Sequence, residues 1–386
     1  MKAFYSDPTN IGSICEVIAG QSPKSSAYNI EGNGLPFYQG KKDFGLRYIY
    51  PAKKWTTQIT KEAKAGDILM SVRAPVGPIN EATETICIGR GLAAIRASEE
   101  IDKNYLWYGL LWLQPEIKGH EGAVFSSINK KGIEALKIPL PPLEEQKRIV
   151  AILDEAFEGL DRARAHTEAN LQNAKELFQS YLSKVFSQKC EGWQELPLGE
   201  IAQLIDSLHK TPKYSNDGGY HMVRVTDIKD GEINFSKTKK VDEETFREFS
   251  KRHSPQIGDL VLSRVGSYGI PALVKTNEPF CLGQNTVFII PTINSELLYY
   301  FLISPTSKKQ VDSFVDGTTQ PTISLKNIRK IVVSFPLLNE QADLVSHLDE
   351  LSKRSKLLRN KYRSKLADLD DLRQSLLQKA FAGELT

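Results

Sequence analysis

Two hydrophobic patterns alternate along this chain, and each occurs twice. Residues 11–140 and 198–335 carry short apolar runs broken by Gly, Pro, Asn and Asp, as at 67–72, 86–95, 258–264 and 285–291, and such runs predict strands. Short helices are predicted at 103–113 and 295–301. Long loops join these elements, so each stretch reads as a mixed α/β domain whose loops, held on a rigid frame, are the natural place for recognition. Beyond each domain the period changes. Pro139, Pro141 and Pro142 precede residues 143–188, Pro336 precedes residues 337–382, and neither later stretch contains another proline. Proline ahead of Glu144-Glu145 or Asn339-Glu340 is a helix-start signal, because its φ is fixed and the acids face the positive end of the helix dipole.

Within 337–382, Leu344, Leu348, Leu351, Ser355, Leu358, Tyr362, Lys365, Leu369, Leu372 and Leu376 recur at alternating three- and four-residue spacing. Ile149, Leu153, Ala156, Leu160, Ala163, Thr167, Asn170, Ala174, Leu177 and Tyr181 do the same in 143–188. This predicts a heptad seam over about five heptads in each helix. Small residues in the first seam complement large ones in the second, which suits a pair within the chain better than two separate homodimers, and the matched lengths of the two helices suit an antiparallel coiled coil. Two helices packed separately on their own domains are the alternative. At ~1.5 Å per residue, ~45 residues make a rod of roughly 68 Å, longer than a small domain needs for its core, so the helices are expected to act as spacers.

The two halves also repeat in sequence. Glu121-Gly122-Ala123-Val124-Phe125-Ser126-Ser127-Ile128 corresponds to Asp316-Gly317-Thr318-Thr319-Gln320-Pro321-Thr322-Ile323 at an offset of 195, which holds without a gap to the ends of the helices. Glu145-Gln146 thus matches Glu340-Gln341, and Leu153-Asp154-Glu155 matches Leu348-Asp349-Glu350. Upstream the register drifts: Gly66-Asp67-Ile68-Leu69-Met70-Ser71 matches Gly258-Asp259-Leu260-Val261-Leu262-Ser263 at 192, and Cys87-Ile88-Gly89 matches Cys281-Leu282-Gly283 at 194. Residues 21–64 and 206–256 have little in common. A period this long marks a duplicated domain pair, with each copy a shared frame bearing a private surface.

A 386-residue chain with 40% hydrophobic and 25% charged residues is ordinary for a globular protein of two or three domains. There is no apolar stretch long enough to span a membrane and no signal-type hydrophobic region near Met1, so a cytoplasmic location is expected. Cys15, Cys87, Cys190 and Cys281 lie far apart, which argues for buried thiols rather than a metal or redox pair. The histidines have no metal spacing, and no nucleotide-binding glycine loop or GxxxxGK[ST] occurs. Glu62-Ala63-Lys64, Glu116-Ile117-Lys118 and Asp227-Ile228-Lys229 match only the tail of a nuclease acidic motif. Net charge is only +3, yet residues 24–64 hold eight Lys or Arg against three acids, interleaved with seven aromatic residues. Basic residues with aromatics recur in the private segment of the second copy, where Asp242-Glu243-Glu244 dilutes the field. A solvated loop would account for either cluster alone; recurrence at matching places favours phosphate contact.

Several of these motifs carry a family resemblance. Gly317-Thr318-Thr319-Gln320-Pro321-Thr322-Ile323-Ser324, Ile138-Pro139-Leu140-Pro141-Pro142-Leu143-Glu144-Glu145-Gln146 with its echo around Pro336, the Gly-Asp frames at Gly66 and Gly258, and Lys379-Ala380-Phe381-Ala382-Gly383-Glu384-Leu385 together resemble the specificity subunit of a type I DNA restriction-modification system. The resemblance covers essentially the whole chain. Ser126-Ser127 stands where the second copy has Pro321-Thr322, and the first copy lacks a clear match to Val223-Arg224-Val225-Thr226-Asp227-Ile228. The resemblance implies an α+β fold with two mixed α/β target-recognition domains, at 1–141 and 189–336. Two long helices, at 142–188 and 337–386, form an antiparallel coiled coil in a pseudo-twofold repeat. It also implies binding of double-stranded DNA without catalysis, each domain reading one half of an interrupted asymmetric target. The helices set the gap and dock two methyltransferase subunits, with restriction and translocase subunits joining the full complex. S-adenosylmethionine, ATP and Mg2+ belong to those partners, and this chain holds no cofactor or metal. A coiled-coil scaffold without DNA, or a reader fused to its own nuclease, are the alternatives.

Sequence readout needs side chains that reach base edges, with Arg and Lys suited to guanine and Asn and Gln to adenine, whereas phosphate contacts position the protein. Gln39, Arg47 and Arg73 in the first copy, and Arg224, Thr226, Arg264 and Tyr268 in the second, are the expected base readers. Lys41, Lys42, Lys53, Lys54, Lys210, Lys213, Lys237, Lys239 and Lys240 are expected at phosphates, and His209, His221 and His253 are further candidate contacts.

Overall fold

The computed structural model describes residues 8–118, 127–188, 191–215, 218–229, 231–317 and 320–385. The chain divides into two compact units, residues 1–167 with 364–386, and residues 168–363, so the division falls inside both long helices. Cys190, His120, Thr318, Thr319 and residues 121–126 of the repeat lie outside the described residues.

Each unit is built on a four-stranded antiparallel sheet of identical strand order. In the first it runs Cys15–Ala19, Leu92–Ala97, Ile68–Ser71, Ile79–Glu81. In the second it runs Ala202–Asp206, Thr286–Pro291, Leu260–Ser263, Pro271–Leu273. The Gly-Asp motif explains how the third strand begins. Gly66 and Gly258 sit at φ of 88° and 97°, a left-handed turn that favours glycine, and their N–H groups donate to Ala82 and Val274. The aspartate that follows is buried in both copies. Its carboxylate accepts the Lys64 N–H at 2.7 Å in one unit and the Gln256 N–H at 2.8 Å in the other, closing the turn.

The run at 86–95 is not one strand but two, Ile86–Ile88 and Leu92–Ala97. They are separated because a Cβ on Gly91 would come within 2.3 Å of the Gln39 carbonyl, so the chain turns where another backbone crosses it. The strand Ile86–Ile88 leaves the frame to join a private sheet, pairing in parallel with Leu35–Tyr38. Phe280–Leu282 does the same with Tyr220–Val223. The private segments therefore share one strand that their sequences do not reveal. The Gly89 N–H donates to Tyr38 and the Gly283 N–H to Val223, each at 2.8 Å.

The helices Lys103–Lys118 and Ser295–Leu302 match expectation, and Glu243–Ser250 and Pro305–Ser313 are additional. Pro115 sits inside the first of these. Each frame helix is fastened to a long helix by the Glu-Gln motif. Gln146 is fully buried; its Oε1 accepts the Asp102 N–H at 2.7 Å while its Nε2 donates to the carbonyls of Pro141 at 2.8 Å and Glu100 at 3.1 Å. Gln341 repeats this with the Asn294 N–H at 2.9 Å and the Pro336 carbonyl at 3.0 Å. About two turns on, the Tyr108 hydroxyl donates to Asp154 at 2.6 Å, and Tyr300 to Asp349 at 2.5 Å.

The long helices span Leu143–Ser187 and Leu338–Phe381. Within each unit the two helix segments run antiparallel. In the first, Asp161 pairs with Arg373 at 3.1 Å and Arg164 with Asp370; in the second, Ser355 donates to the Ala174 carbonyl at 3.1 Å and Tyr181 lies against His347. The expected seam holds as far as Thr167, whose buried hydroxyl bonds the Ala163 carbonyl of its own helix. Beyond it, Asn170 and Leu177 are exposed, and Leu171 and Phe178 take their places. In the second helix Leu358, Lys365 and Leu372 are exposed, and Arg359, Leu366 and Arg373 are the partly buried residues. Seven residues fall about 20° short of two full turns, so the buried stripe of an undistorted helix moves on by one residue over about five heptads.

Two outcomes follow from this packing. Burial pushes the thiols of Cys15 and Cys281 up to about 12, leaving about one thiolate in ten thousand at pH 8; both should resist a thiol reagent in the native chain and react after denaturation. Gln146→Ala leaves an enclosed N–H and carbonyl unpaired and should destabilise by about 2–4 kcal/mol in chemical denaturation. A loss below about 0.5 kcal/mol, the range of an ordinary surface substitution, would mean that the buried amide does not hold the helix to its domain.

Candidate nucleic-acid interface

Gln39 and Arg224 occupy matching places in the two units. Each directly follows the private strand whose last carbonyl accepts the Gly89 or Gly283 N–H. Facing them is the turn that returns the chain to the frame, Gly89-Arg90-Gly91 in one unit and Gly283-Gln284-Asn285 in the other, with Asn285 at a φ of 67°. Arg90 and Gln284 are both exposed on this turn. Sequence reading passed over them because they lie in the shared frame; an exposed polar residue inside a glycine-flanked turn was the available signal.

The arginines differ sharply in what surrounds them. Arg73 is exposed next to the bridge that pairs it with Ser127. Arg47 instead straps the private segment to the frame. Its Nε lies 3.1 Å from Glu81, it bonds Asn104, and its guanidinium carbon sits 5.2 Å from the Trp107 ring centroid. Glu81 is buried and also holds Lys103 at 2.6 Å. In the second unit Arg224 forms a two-pronged pair with buried Asp227, at 3.0 Å on each prong. That hydrogen bonding raises the Arg224 pKa further. Thr226, exposed beside it, donates to the same carboxylate at 3.3 Å. Arg264 has a side chain only 12% exposed; it meets Asp206 at 2.5 Å and donates to the Ile323 carbonyl at 3.2 Å. The Tyr268 hydroxyl donates to Asp312 at 3.0 Å, and the Lys308 ammonium lies 4.4 Å from its ring centroid.

Among the lysines, Lys41 and Lys42 project from a short turn, Lys41–Asp43, just beyond Gln39, and Lys53 and Lys54 are also exposed. Tyr48 and Tyr50 are exposed as well, and Tyr28 and Phe37 stack at 4.8 Å. In the second unit the field is partly compensated. Lys210 pairs with Glu248, Lys213 faces Asp242, and the Lys239 ammonium lies 4.2 Å from the Tyr214 ring centroid. Lys237 is exposed on its own short turn. Lys240 lies half-buried opposite His221. Burial, with Lys240 adding to it, holds His221 below the usual imidazole range, so it is uncharged at neutral pH. His253 is engaged by buried Asp259 at 2.7 Å, and His209 by Asp206 at 3.3 Å. No group of three or more His, Cys, Asp or Glu placed to hold a metal ion occurs among the described residues, and no described helix is long and apolar enough to cross a membrane. The exposed residues of each unit thus offer positive charge, aromatic faces and amide or guanidinium donors.

Comparison with known proteins places this architecture among its relatives. The family model for the type I restriction modification DNA specificity domain matches twice, at residues 6–171 and 190–366. A chain of Methanocaldococcus jannaschii, provisionally named type I restriction enzyme MjaX specificity subunit, is 44% identical over 169 residues, covering 43% of this chain and 39% of its own length. The type I restriction enzyme EcoBI specificity subunit of Escherichia coli is 22% identical across 98% of this chain and 85% of its own. A solved chain from a study of complex assembly and conformational transition in a type I R-M system superposes with a TM-score of 0.78, at 20% identity, over 99% of both chains. This fold is therefore already represented among solved structures.

Arg264→Ala strands Asp206 in a mostly enclosed setting and should lower stability by about 2–3 kcal/mol, whereas exposed Arg73→Ala should change it by less than about 0.5 kcal/mol. Equal unfolding midpoints for the two variants would show that the Asp206 pair contributes nothing to the fold.

Proposed function

Because this chain belongs to the type I restriction modification DNA specificity domain family, we propose that it serves as the sequence-reading subunit of a type I restriction-modification complex. The observation that carries this reading is the doubled frame bearing two different private sheets. One scaffold presented twice with unlike surfaces suits a double-stranded DNA target made of two unlike halves. Each unit reads one half, and the continuous helices set the unspecified gap between them.

Gln39 and Arg73 in the first unit, and Arg224 and Thr226 in the second, are the base-edge candidates best supported by exposure and placement. Arg47, Arg264 and Tyr268 support them by fixing the private segments and the turns. Lys41, Lys42, Lys53, Lys54, Lys237 and Lys239 meet phosphates, with Lys210, Lys213 and Lys240 contributing to the local field. The chain positions DNA and carries out no chemical step. Two methyltransferase subunits dock on the helices, restriction and translocase subunits complete the complex, and S-adenosylmethionine, ATP and Mg2+ act there, in the cytoplasm.

The test separates the two kinds of contact. Lys53→Ala combined with Lys54→Ala should weaken binding about equally on all duplexes and reduce the slope of log K against log salt by roughly one per lost phosphate contact. Gln39→Ala should leave that slope unchanged and cost about 1–3 kcal/mol on the cognate sequence only. A double lysine variant that alters sequence preference, or binding by the intact chain that does not respond to salt, would contradict this assignment.

A further inference from the structure

The second unit contains a cavity of about 1370 Å³ bounded by the edge strand Pro271–Leu273, the paired strands Ile228–Lys229 and Glu232–Ile233, the helix Ser295–Leu302 and the long-helix stretch 349–363. The duplication supplies an internal comparison. In the first unit the Arg47 carbonyl accepts the Glu81 N–H at 2.8 Å, and in the second the Gly231 carbonyl accepts the Leu273 N–H at 3.3 Å. Glu81 and Leu273 hold the same register against Ile68 and Leu260, so Arg47 and Gly231 stand at matching places. Arg47 fills its place by lying against Trp107. Gly231 carries no side chain, and the hydroxyl of Tyr299, the counterpart of Trp107, closes over it, 1.9 Å from where a Cβ would lie.

The helix wall differs in the same sense. In the first unit Arg373 lies 4.3 Å from the Phe157 ring centroid and pairs with Asp161. At an offset of 195 the counterparts of Phe157, Asp161 and Arg373 are Ser352, Lys356 and Phe178. The ring has passed to the other helix, where Phe178 lies against Tyr300 as Phe157 does against Tyr108, and the ion pair has gone. Glu158 and Glu168 likewise become Lys353 and Arg363, while Arg164 persists as Arg359. Lys356, Arg359 and Arg363, spaced by three and four residues, form one stripe ~10 Å long. The described lining residues include six cations and three acids, a net +3. Of those acids, Glu232 pairs with Lys356 at 3.8 Å, and Asp349 is engaged by the Tyr300 hydroxyl. The Arg359 Nε is buried with no hydrogen-bond partner among the described residues. The facing wall is apolar and aromatic, with Phe235, Ile257, Ile270 and Tyr299.

We propose that this cavity is a nucleotide site, with phosphate oxygens on the Lys356, Arg359 and Arg363 stripe and a base against Tyr299 and Phe235. Guanidinium and ammonium groups match phosphate oxygens. Aromatic faces accept any base by stacking, which an acidic peptide would not use. A free nucleotide and one nucleotide of a single strand share this chemistry.

The test titrates the full chain with N-methylanthraniloyl-ADP by fluorescence anisotropy and, separately, with a short labelled single-stranded oligonucleotide. Ser352→Phe restores the ring of the first unit, and Lys356→Asp restores its acid. Each should weaken the probe that binds by about tenfold or more, with duplex binding and the unfolding midpoint unchanged. A response of the nucleotide probe identifies the free ligand, a response of the oligonucleotide alone identifies a strand, and either supports the site. Lys356→Asp, on an exposed position, keeps the test valid should Ser352→Phe fail to fold. Indifference of both probes to both substitutions, or a polyglutamate peptide binding there while neither probe does, would overturn the proposal.

Discussion

Closure of each hydrophobic core by the last turns of a long helix is the constraint on which the rest of the molecule depends. In the first unit Phe381 stacks on Trp112 at 5.1 Å and packs on Tyr105 at 5.1 Å, with Leu377 and Ala380 buried beside it. Phe186 plays that part in the second unit, edge-on to Phe301 at 5.5 Å, with Leu182 fully buried. The first core is thus completed by residues more than 200 positions away in sequence, so forming it pays a large loop-closure entropy. Burying a Phe side chain returns roughly 1.5–3 kcal/mol. A helix that starts on one core and ends in the other must keep its length and phase. That requirement explains why the two copies keep a gapless 195-residue register through the helices while drifting upstream.

Much of this was legible from residue order alone. Proline boundaries, heptad spacing and the duplicated Gly-Asp and Glu-Gln motifs gave the frame, because each reports a local backbone or packing demand. The private strands Leu35–Tyr38 and Tyr220–Val223 escaped notice because parallel pairing with a remote strand leaves no periodic mark in so short a segment. The late seam slipped by one residue because a 3.5-residue template was laid on a 3.6-residue helix. Gln146 was visible as a motif, but its role was not, since only the fold brings Asp102, Glu100 and Pro141 to one amide.

The site residues were less legible for a related reason. Basic residue type marks a candidate for phosphate or base contact, yet an arginine beside a buried carboxylate serves the fold equally well. Arg47 with buried Glu81, and Arg264 with the partly exposed Asp206, both form such ion pairs. Arg224 stands between the two, paired with Asp227 at the place in its own unit that matches Gln39 in the other. Arg90 and Gln284 show the reverse case, exposed side chains on that edge that belong to the frame. Pairwise partners, more than composition, separate side chains that can reach a ligand from those that hold the surface in shape.

The proposal that the two units read DNA independently on a common frame is tested most directly by exchange. Residues 11–125 would be replaced by the recognition domain of a relative, and the methylated sites of cells carrying the chimera with its methyltransferase subunits would be sequenced. One half of the target should change while the other half and the gap remain as before. A change in both halves, or in the gap, would contradict independent reading.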